Sequence, residues 1–217
     1  MSNYGFAVFD SEIDTYEDWE LMLEGVSIPL PAAQIVSVPI PGMTGELDLT
    51  DVLSGYANFN NRLITITFSV LETYDNWAVL ISRIANYLHG QKRKLVLDID
   101  PDYYYYGRFA VDSQKTDEAL ATIVIIGIVD PYKYEIAQQV IVQAVSGTYS
   151  LVLQGAPMPV VPVINSTAVM TVTFGGVAYN LAIGNNTIPE VCLVDGANTL
   201  LFTGTGTITL TYLRGTF

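Results

Sequence analysis

Apolar residues recur at helical spacing most clearly between Trp77 and Leu88. Trp77, Leu80, Ile81, Ile84 and Leu88 fall on one stripe of an α-helix. Thr73 is placed to cap its N-terminus, Asp75 to complement the dipole there, and Gly90 to end it. On either side the period switches to two. Ile64, Ile66, Phe68 and Val70 alternate with Leu63, Thr65, Thr67 and Ser69. Leu95, Leu97 and Ile99 alternate with Lys94, Val96 and Asp98. The pattern predicts a strand, a helix and a strand from Leu63 to Ile99. A helix with a single apolar stripe must bury it, and the sheet made by its neighbours is the nearest surface.

Nearly all the rest predicts β-structure. Tyr4 to Phe9 reads as a strand, followed by an acidic segment from Asp10 to Glu24 containing Trp19, and Leu21 to Ile28 reads as a second strand. Prolines then crowd the chain at Ile28-Pro29-Leu30-Pro31 and Val38-Pro39-Ile40-Pro41-Gly42. A central strand cannot hold that many, so this stretch predicts an edge strand or an extended arm. Apolar residues on such an arm have no local core. Ile28, Leu30, Ile40 and Met43 are therefore the candidate subunit contacts, with packing across the chain's own sheet as the simpler alternative. Glu46 to Thr50 is a short alternating strand.

Asp100-Pro101-Asp102 reads as a turn into the four tyrosines Tyr103 to Tyr106. Gly107 to Asp112 and Ala119 to Val129 follow as strands joined by the polar turn Ser113 to Glu118. The second is apolar nearly throughout, as expected of a strand covered on both faces. At about Glu135 the composition shifts to short apolar and Thr-rich strands. Turns are expected at Ser146-Gly147, Gly175-Gly176, Gly184-Asn185-Asn186, Asp195-Gly196 and Gly204-Thr205-Gly206. That rhythm predicts an antiparallel sandwich. Two domains are expected, residues 1–134 and 135–217.

Composition changes the picture in one respect. The 217 residues are 50% hydrophobic and 14% charged, against about 25% charged in an ordinary soluble domain. So little charge suggests surface hidden against other subunits, although abundant Thr, Asn, Gly and Tyr could also keep a β-protein in solution. The net charge of −13 is uneven: residues 1–134 hold 19 acids and 8 bases, and the remainder three acids and one base. A phosphate-binding surface needs clustered Lys or Arg, so nucleic-acid recognition is not expected. The only basic cluster, Lys92-Arg93-Lys94, follows the helix C-terminus, where cations are favoured anyway. The N-terminus lacks the basic start and apolar core of a secretory signal, and no apolar run approaches the ~20 residues that span a bilayer.

Candidate chemistry is sparse. His89 and Cys192 are the only soft metal ligands, on different domains, so no zinc site and no cofactor are expected. Asp98-x-Asp100-x-Asp102 imitates the start of a calcium loop but meets Tyr103 and Phe109 where glycine and glutamate are required. Any nucleophile would have to use His89 as base, and no G-x-S-x-G occurs. Cys192 sits in the apolar run Val191 to Val194 and reads as a buried, inert thiol. A glycosidase needs only two carboxylates, and nothing picks out a pair. No enzyme is expected. Tyr103, Tyr104, Tyr105 and Tyr106 could stack on sugar rings, or could be alternately buried in a strand or placed at a protein interface. Asn165-Ser166-Thr167 and Asn185-Asn186-Thr187 match the N-glycosylation pattern and read as unmodified turn residues.

Tyr4-Gly5-Phe6, Trp19, Val38 to Asp48, Asn61 to Phe68, Leu88-His89-Gly90, Tyr106 to Phe109 and Asp195 to Leu200 stand in an order that resembles the distal tail proteins (Dit) of long-tailed, non-contractile phages. The order begins with Tyr4-Gly5-Phe6 and the acidic segment with Trp19. Val38 to Asp48 resembles the family's "PG-x-x-G-x-L-D" segment, and Asn61 to Phe68 its "NR" strand. The helix ending in Leu88-His89-Gly90, the strand to Asp98 and Tyr106-Gly107-Arg108-Phe109 follow. Asp195 to Leu200, with Gly204-Thr205-Gly206 and Tyr212, resembles the closing "G-x-N-x-L" hairpin. The resemblance implies a mainly β chain: a β-rich belt domain with one α-helix, then a galectin-like antiparallel β-sandwich. It implies a homohexameric ring at the distal end of the virion's tail, made in the host cytoplasm, with no membrane partner. Its neighbours would be the tail tube protein, the tail-tip protein, the tape measure protein and receptor-binding proteins, with DNA crossing the channel unbound. A carbohydrate-binding module acting through the second domain is the alternative.

Overall fold

The computed structural model describes residues 5–52, 54–70, 74–116 and 121–217. The chain divides into two compact units, Met1–Lys133 with Phe217, and Tyr134–Thr216.

The first unit begins with β1 (Ala7–Phe9), β2 (Ile13–Asp14), α1 (Thr15–Trp19) and β3 (Met22–Ser27). A hairpin of β4 (Ser37–Pro39) and β5 (Glu46–Asp48) follows, then β6 (Arg62–Val70), α2 (Tyr74–Leu88), β7 (Gln91–Leu97), β8 (Asp100–Thr116) and β9 (Ala121–Val129). Seven of the strands make one antiparallel sheet in the order β2-β1-β7-β8-β9-β6-β3. The strand–helix–strand unit stands as the periodicities predict. Ile84 and Leu88 of α2 are fully buried beside Ile64, Ile66 and Phe68 of β6, and Trp77, Leu80 and Ile81 pack against the same core. Each large side chain buried this fully contributes about 1.5–3 kcal/mol. Gly90 ends the helix at φ +74° and donates its N–H to the Phe109 carbonyl at 2.8 Å. The Thr73 cap and the side chain of Asp75 lie outside the described residues, as do Tyr4 and residues 117–120.

Four local expectations differ from the structure. The acidic segment holds a short helix, α1, capped by Asp14, whose carboxylate accepts the N–H groups of Tyr16 and Glu17. β7 ends at Leu97, which pairs with Asp100, so the turn falls at Asp98-Ile99 and leaves Ile99 67% exposed. β8 is one strand through the tyrosines to Thr116, so Asp100-Pro101-Asp102 and Ser113 to Thr116 are strand rather than turn. β9 is an interior strand between β8 and β6, yet its second face is covered only in part: Ile123, Ile125 and Val129 are buried, Val124 and Ile126 are half-buried, and Ile128 is 56% exposed.

β10 (Lys133–Glu135) precedes the strands of the second unit. These are β11 (Gln139–Gln154), β12 (Val163–Ser166), β13 (Met170–Phe174), β14 (Val177–Leu181), β15 (Gly184–Thr187), β16 (Ala197–Tyr212) and β17 (Gly215–Thr216). β16 runs antiparallel to β11 over sixteen residue pairs. On its other side Leu201 to Thr203 take β13, and Ile208 to Thr211 take β12. Two half-sheets therefore share one strand, and Ile164, Val172, Leu181, Leu193, Phe202 and Leu210 form the core between them. The handover needs glycine. Gly204 sits at φ +142° opposite Gly147 at φ +82°, and a Cβ on Gly204 would come within 2.6 Å of Met170. Ser146-Gly147 and Gly204 to Gly206 are thus bends inside long strands, and Gly184 to Asn186 lie in β15, whereas Gly175-Gly176 makes the β13–β14 turn.

Candidate functional site

The feature that asks for a partner is the arm from Ala33 to Val52. Its root is fastened to the first unit: Ala33 bridges Phe59, the Gln34 N–H donates to the Asn58 carbonyl at 2.8 Å, and the Asn60 N–H to the Ala32 carbonyl at 2.9 Å. Beyond the root the chain folds back on itself through β4 and β5, turning at Pro41-Gly42, with Gly42 and Gly45 both at positive φ. The Leu49 N–H donates to the Val36 carbonyl at 2.8 Å, the Val36 N–H to the Thr50 hydroxyl at 3.0 Å, and the Ser37 hydroxyl to the Glu46 carboxylate. The Thr50 side chain and then its backbone N–H hold the Asp48 carboxyl below its usual pKa.

This hairpin has an apolar side that none of the described residues buries. Val38 lies opposite Leu47, and Val36 and Ile40 share their side by the two-residue period. All four are exposed, as are Leu30 and Ile35, at 76% and 74%. Of the expected subunit contacts, Leu30, Ile40 and Met43 lie exposed on or beside the arm. Ile28 differs: it is half-buried against the first unit's own core.

Burial sets one tyrosine apart from the other three. Tyr105 points into the core at 4% exposure and is no surface residue, which corrects that part of the aromatic expectation. The other three are half-buried. Every ring lies beneath a cation: Tyr103 under Lys133 at 4.7 Å, Tyr104 under Lys94 at 4.8 Å, Tyr105 under Arg62 at 5.2 Å and Tyr106 under Lys92 at 5.8 Å. The two β7 lysines reach diagonally across the ladder, since Lys94 is opposite Tyr106 and Lys92 opposite Arg108. Lys133 also pairs with Asp100 at 2.7 Å. Arg62 is 4% exposed, its Nε and Nη2 have no hydrogen-bond partner among the described residues, and burial lowers its pKa.

The residues examined for chemistry stay apart. His89 is exposed just past α2 in the first unit, whereas Cys192 belongs to the second. Cys192 is half-buried rather than buried, between the fully buried Val191 and Leu193. Asn165 and Asn185, of the two glycosylation-like motifs, face each other across β12 and β15 with their amides joined at 2.7 Å. Among the described residues no three His, Cys, Asp or Glu side chains gather closely enough to hold a metal ion, and no helix is long and apolar enough to cross a membrane.

What sequence reasoning missed is the bare face of the first unit's sheet, on the side opposite the buried core. Leu63 on β6 and Ile128 on β9 are register partners, 50% and 56% exposed. Arg108 continues the row on β8 and Lys92 on β7. A groove of about 210 Å³ runs there, lined by Lys92, Tyr106, Arg108, Ile128 and Asp130 among others. The nearly unbroken apolar run of β9 was the signal, since it reads as covered twice.

No protein-family model matches the sequence, and no curated protein is significantly similar to it. A solved structure is similar: the SPP1 Dit (gp 19.1) protein, described as a paradigm of the hub adsorption apparatus in phages infecting Gram-positive hosts. The likeness covers 96% of this chain and 98% of that one, with a TM-score of 0.66 at 15% sequence identity. Mostly antiparallel strands, a single long helix packed on the first sheet and agreement over nearly the whole of both chains give this protein a Dit-like fold.

Proposed function

We propose that this chain is a structural component of a phage tail and has no catalytic role. Six copies close into a ring at the distal end of the tail, join the tube to the tip and serve as the hub on which host-adsorption proteins assemble. The tail tube, tail-tip, tape measure and receptor-binding proteins are its neighbours. The first unit, Met1–Lys133 with Phe217, is the ring-forming belt expected at residues 1–134, and the second, Tyr134–Thr216, is the galectin-like sandwich expected at residues 135–217. In such a ring the acid surplus of the first unit faces the channel and lets DNA slide through without binding.

The observation that carries the reading is the likeness to a hub protein over 96% of this chain. The arm supports it independently. An apolar hairpin held out in water is costly for a monomer and ordinary for a subunit. Nothing favours the carbohydrate-binding alternative: no aromatic side chain of the second unit is exposed, and the tyrosine run belongs to the first.

Mass measurement of the purified chain in solution, combined with negative-stain images, tests the proposal. The expected result is six times the mass of one chain and a ring with a central hole. A monomer that stays monomeric beside tail-tube and tail-tip proteins overturns it.

A further inference from the structure

We infer that the bare outer face of the first unit's sheet is the seat for the arm of a second copy of this chain. The inference rests on the ring reading and adds to it which two surfaces meet.

The seat is defined by an interior strand whose outer face is covered only in part. β9 reads Ala-Thr-Ile-Val-Ile-Ile-Gly-Ile-Val, and its inward set, Ala121, Ile123, Ile125 and Val129, fills the core. Its outward set, Thr122, Val124, Ile126 and Ile128, is apolar at three of four positions; Val124 and Ile126 are half-buried, and Ile128 is exposed with Leu63 beside it on β6. Outward positions on a solvated sheet face are normally polar. Here the charged positions sit at one flank, where Arg108 and Lys92 continue the Leu63–Ile128 row, while Thr65 and Thr67 lie on the other.

The arm is the complement in shape, polarity and charge. Val36, Val38, Ile40 and Leu47 form a narrow apolar side, and the exposed apolar pair Leu63–Ile128, at the end of a β9 row flanked on β6 by Thr65 and Thr67, is the matching spot on the sheet. A two-stranded hairpin with three residues in each strand is marginal without a surface beneath it. No Lys or Arg occurs between Glu24 and Asn61, while Glu46, Asp48 and Asp51 lie on the arm. With the apolar side seated on Ile128, the hairpin's carboxylates come beside the charges of Arg108, which donates to the Gly90 carbonyl, and of Lys92, which lies above Tyr106.

The occupant is a second copy because one chain carries both halves and leaves both bare. The arm residues and Leu63 and Ile128 are all exposed in the same molecule, so the arm does not lie on its own sheet. Two different surfaces of one chain that fit each other make a head-to-tail contact, which repeats until a ring closes.

Cysteine crosslinking tests the seat directly. In a Cys192→Ser background, the full chain carrying Leu47→Cys and Ile128→Cys is treated with a short bis-maleimide and run on a denaturing gel. The expected product is a ladder of covalent multimers reaching six chains, absent from either single variant. A control pairing Leu47→Cys with Val79→Cys, exposed on α2, is expected to give none. A third variant, Ile128→Glu, places a carboxylate where the acidic arm must land. Its association is expected to weaken at least tenfold, with an unchanged melting curve for the isolated chain. A ring-sized particle that crosslinks through Val79, or not through Ile128, or that tolerates Ile128→Glu, overturns the seat and leaves the ring reading standing. A monomer with no ladder overturns both.

Discussion

Arg93 meets Asp10 with 2.9 Å between Nη1 and Oδ2, although 83 residues separate them in the chain. The guanidinium lies 4.0 Å from the ring centroid of Tyr87 and donates from Nε and Nη2 to the Tyr87 carbonyl at the end of α2. The other Asp10 oxygen accepts the Lys94 N–H at 2.8 Å. One ion pair therefore ties the β1 end, the last turn of α2 and β7. Both side chains are about a quarter exposed, so water screens the pair only in part. Asp10→Ala and Arg93→Ala are each expected to cost about 2 kcal/mol of the first unit's stability, as charge-assisted hydrogen bonds do. Urea unfolding checks this, and the double variant should lose less than the sum. Arg93→Lys should recover only part, because an ammonium cannot make the same fork over Tyr87.

In the second unit Asn198 is buried at 4% exposure and satisfied by a single turn. Its amide donates to the carbonyls of Val194 and Gly196 at 2.7 and 3.0 Å and accepts the Val194 N–H at 3.0 Å. Asn198→Ala leaves those backbone groups without partners and is expected to cost about 3 kcal/mol. Asn186 makes a similar clamp on Ala182 and Gly184 but is half-buried, so water can replace it and Asn186→Ala should cost less. Thermal melts of the two variants, compared with the parent, give the order.

The tyrosines predict an effect of burial. Tyr105→Ala empties a core site and uncovers the buried Arg62, with an expected loss of about 3 kcal/mol or more. Tyr104→Ala removes a half-buried ring and one cation contact, and should cost about 1 kcal/mol. Denaturant midpoints separate them. Neither change should alter retention of the protein on a glycan array.

Alkaline pH should weaken both units. Burial, acting first, raises the pKa of Tyr87, Tyr104, Tyr105 and Tyr132 in the first unit and of Tyr212 in the second. A group whose pKa is higher folded than unfolded adds stability that is complete below the unfolded value. For tyrosine that value is about 10. The contribution is lost as pH climbs through the higher folded value. The unfolding midpoint is therefore expected to be insensitive to these phenols up to about pH 10 and to fall beyond it. Phenolate absorbance followed alongside circular dichroism checks that ionisation and unfolding coincide.

How much of this was legible depends on the distance over which each cause acts. The α2 stripe, the alternation in β6 and the proline-rich arm are local patterns, and the structure carries all three. α1 was hidden because five residues are too few to show a helical period, although Asp14 ahead of Thr15 is a fair capping signal. The glycines in β11 and β16 read as turns because sequence cannot distinguish a reversal from a bend within a strand. The Asp10–Arg93 pair and the cations above the tyrosines depend on which strands become neighbours, which no spacing encodes. The bare face of β9 was half legible: its apolar run announced a second cover, but not that one chain supplies it only in part.

The Gly147–Gly204 crease has a thermodynamic consequence. β16 stays hydrogen-bonded to β11 straight through it, so the half-sheet holding β13 and the half-sheet holding β12 are pages of one binding. Neither page can come loose without tearing the spine they share. Amide exchange in this unit should accordingly report a single opening event for Val172 and Ile164, with one free energy for both.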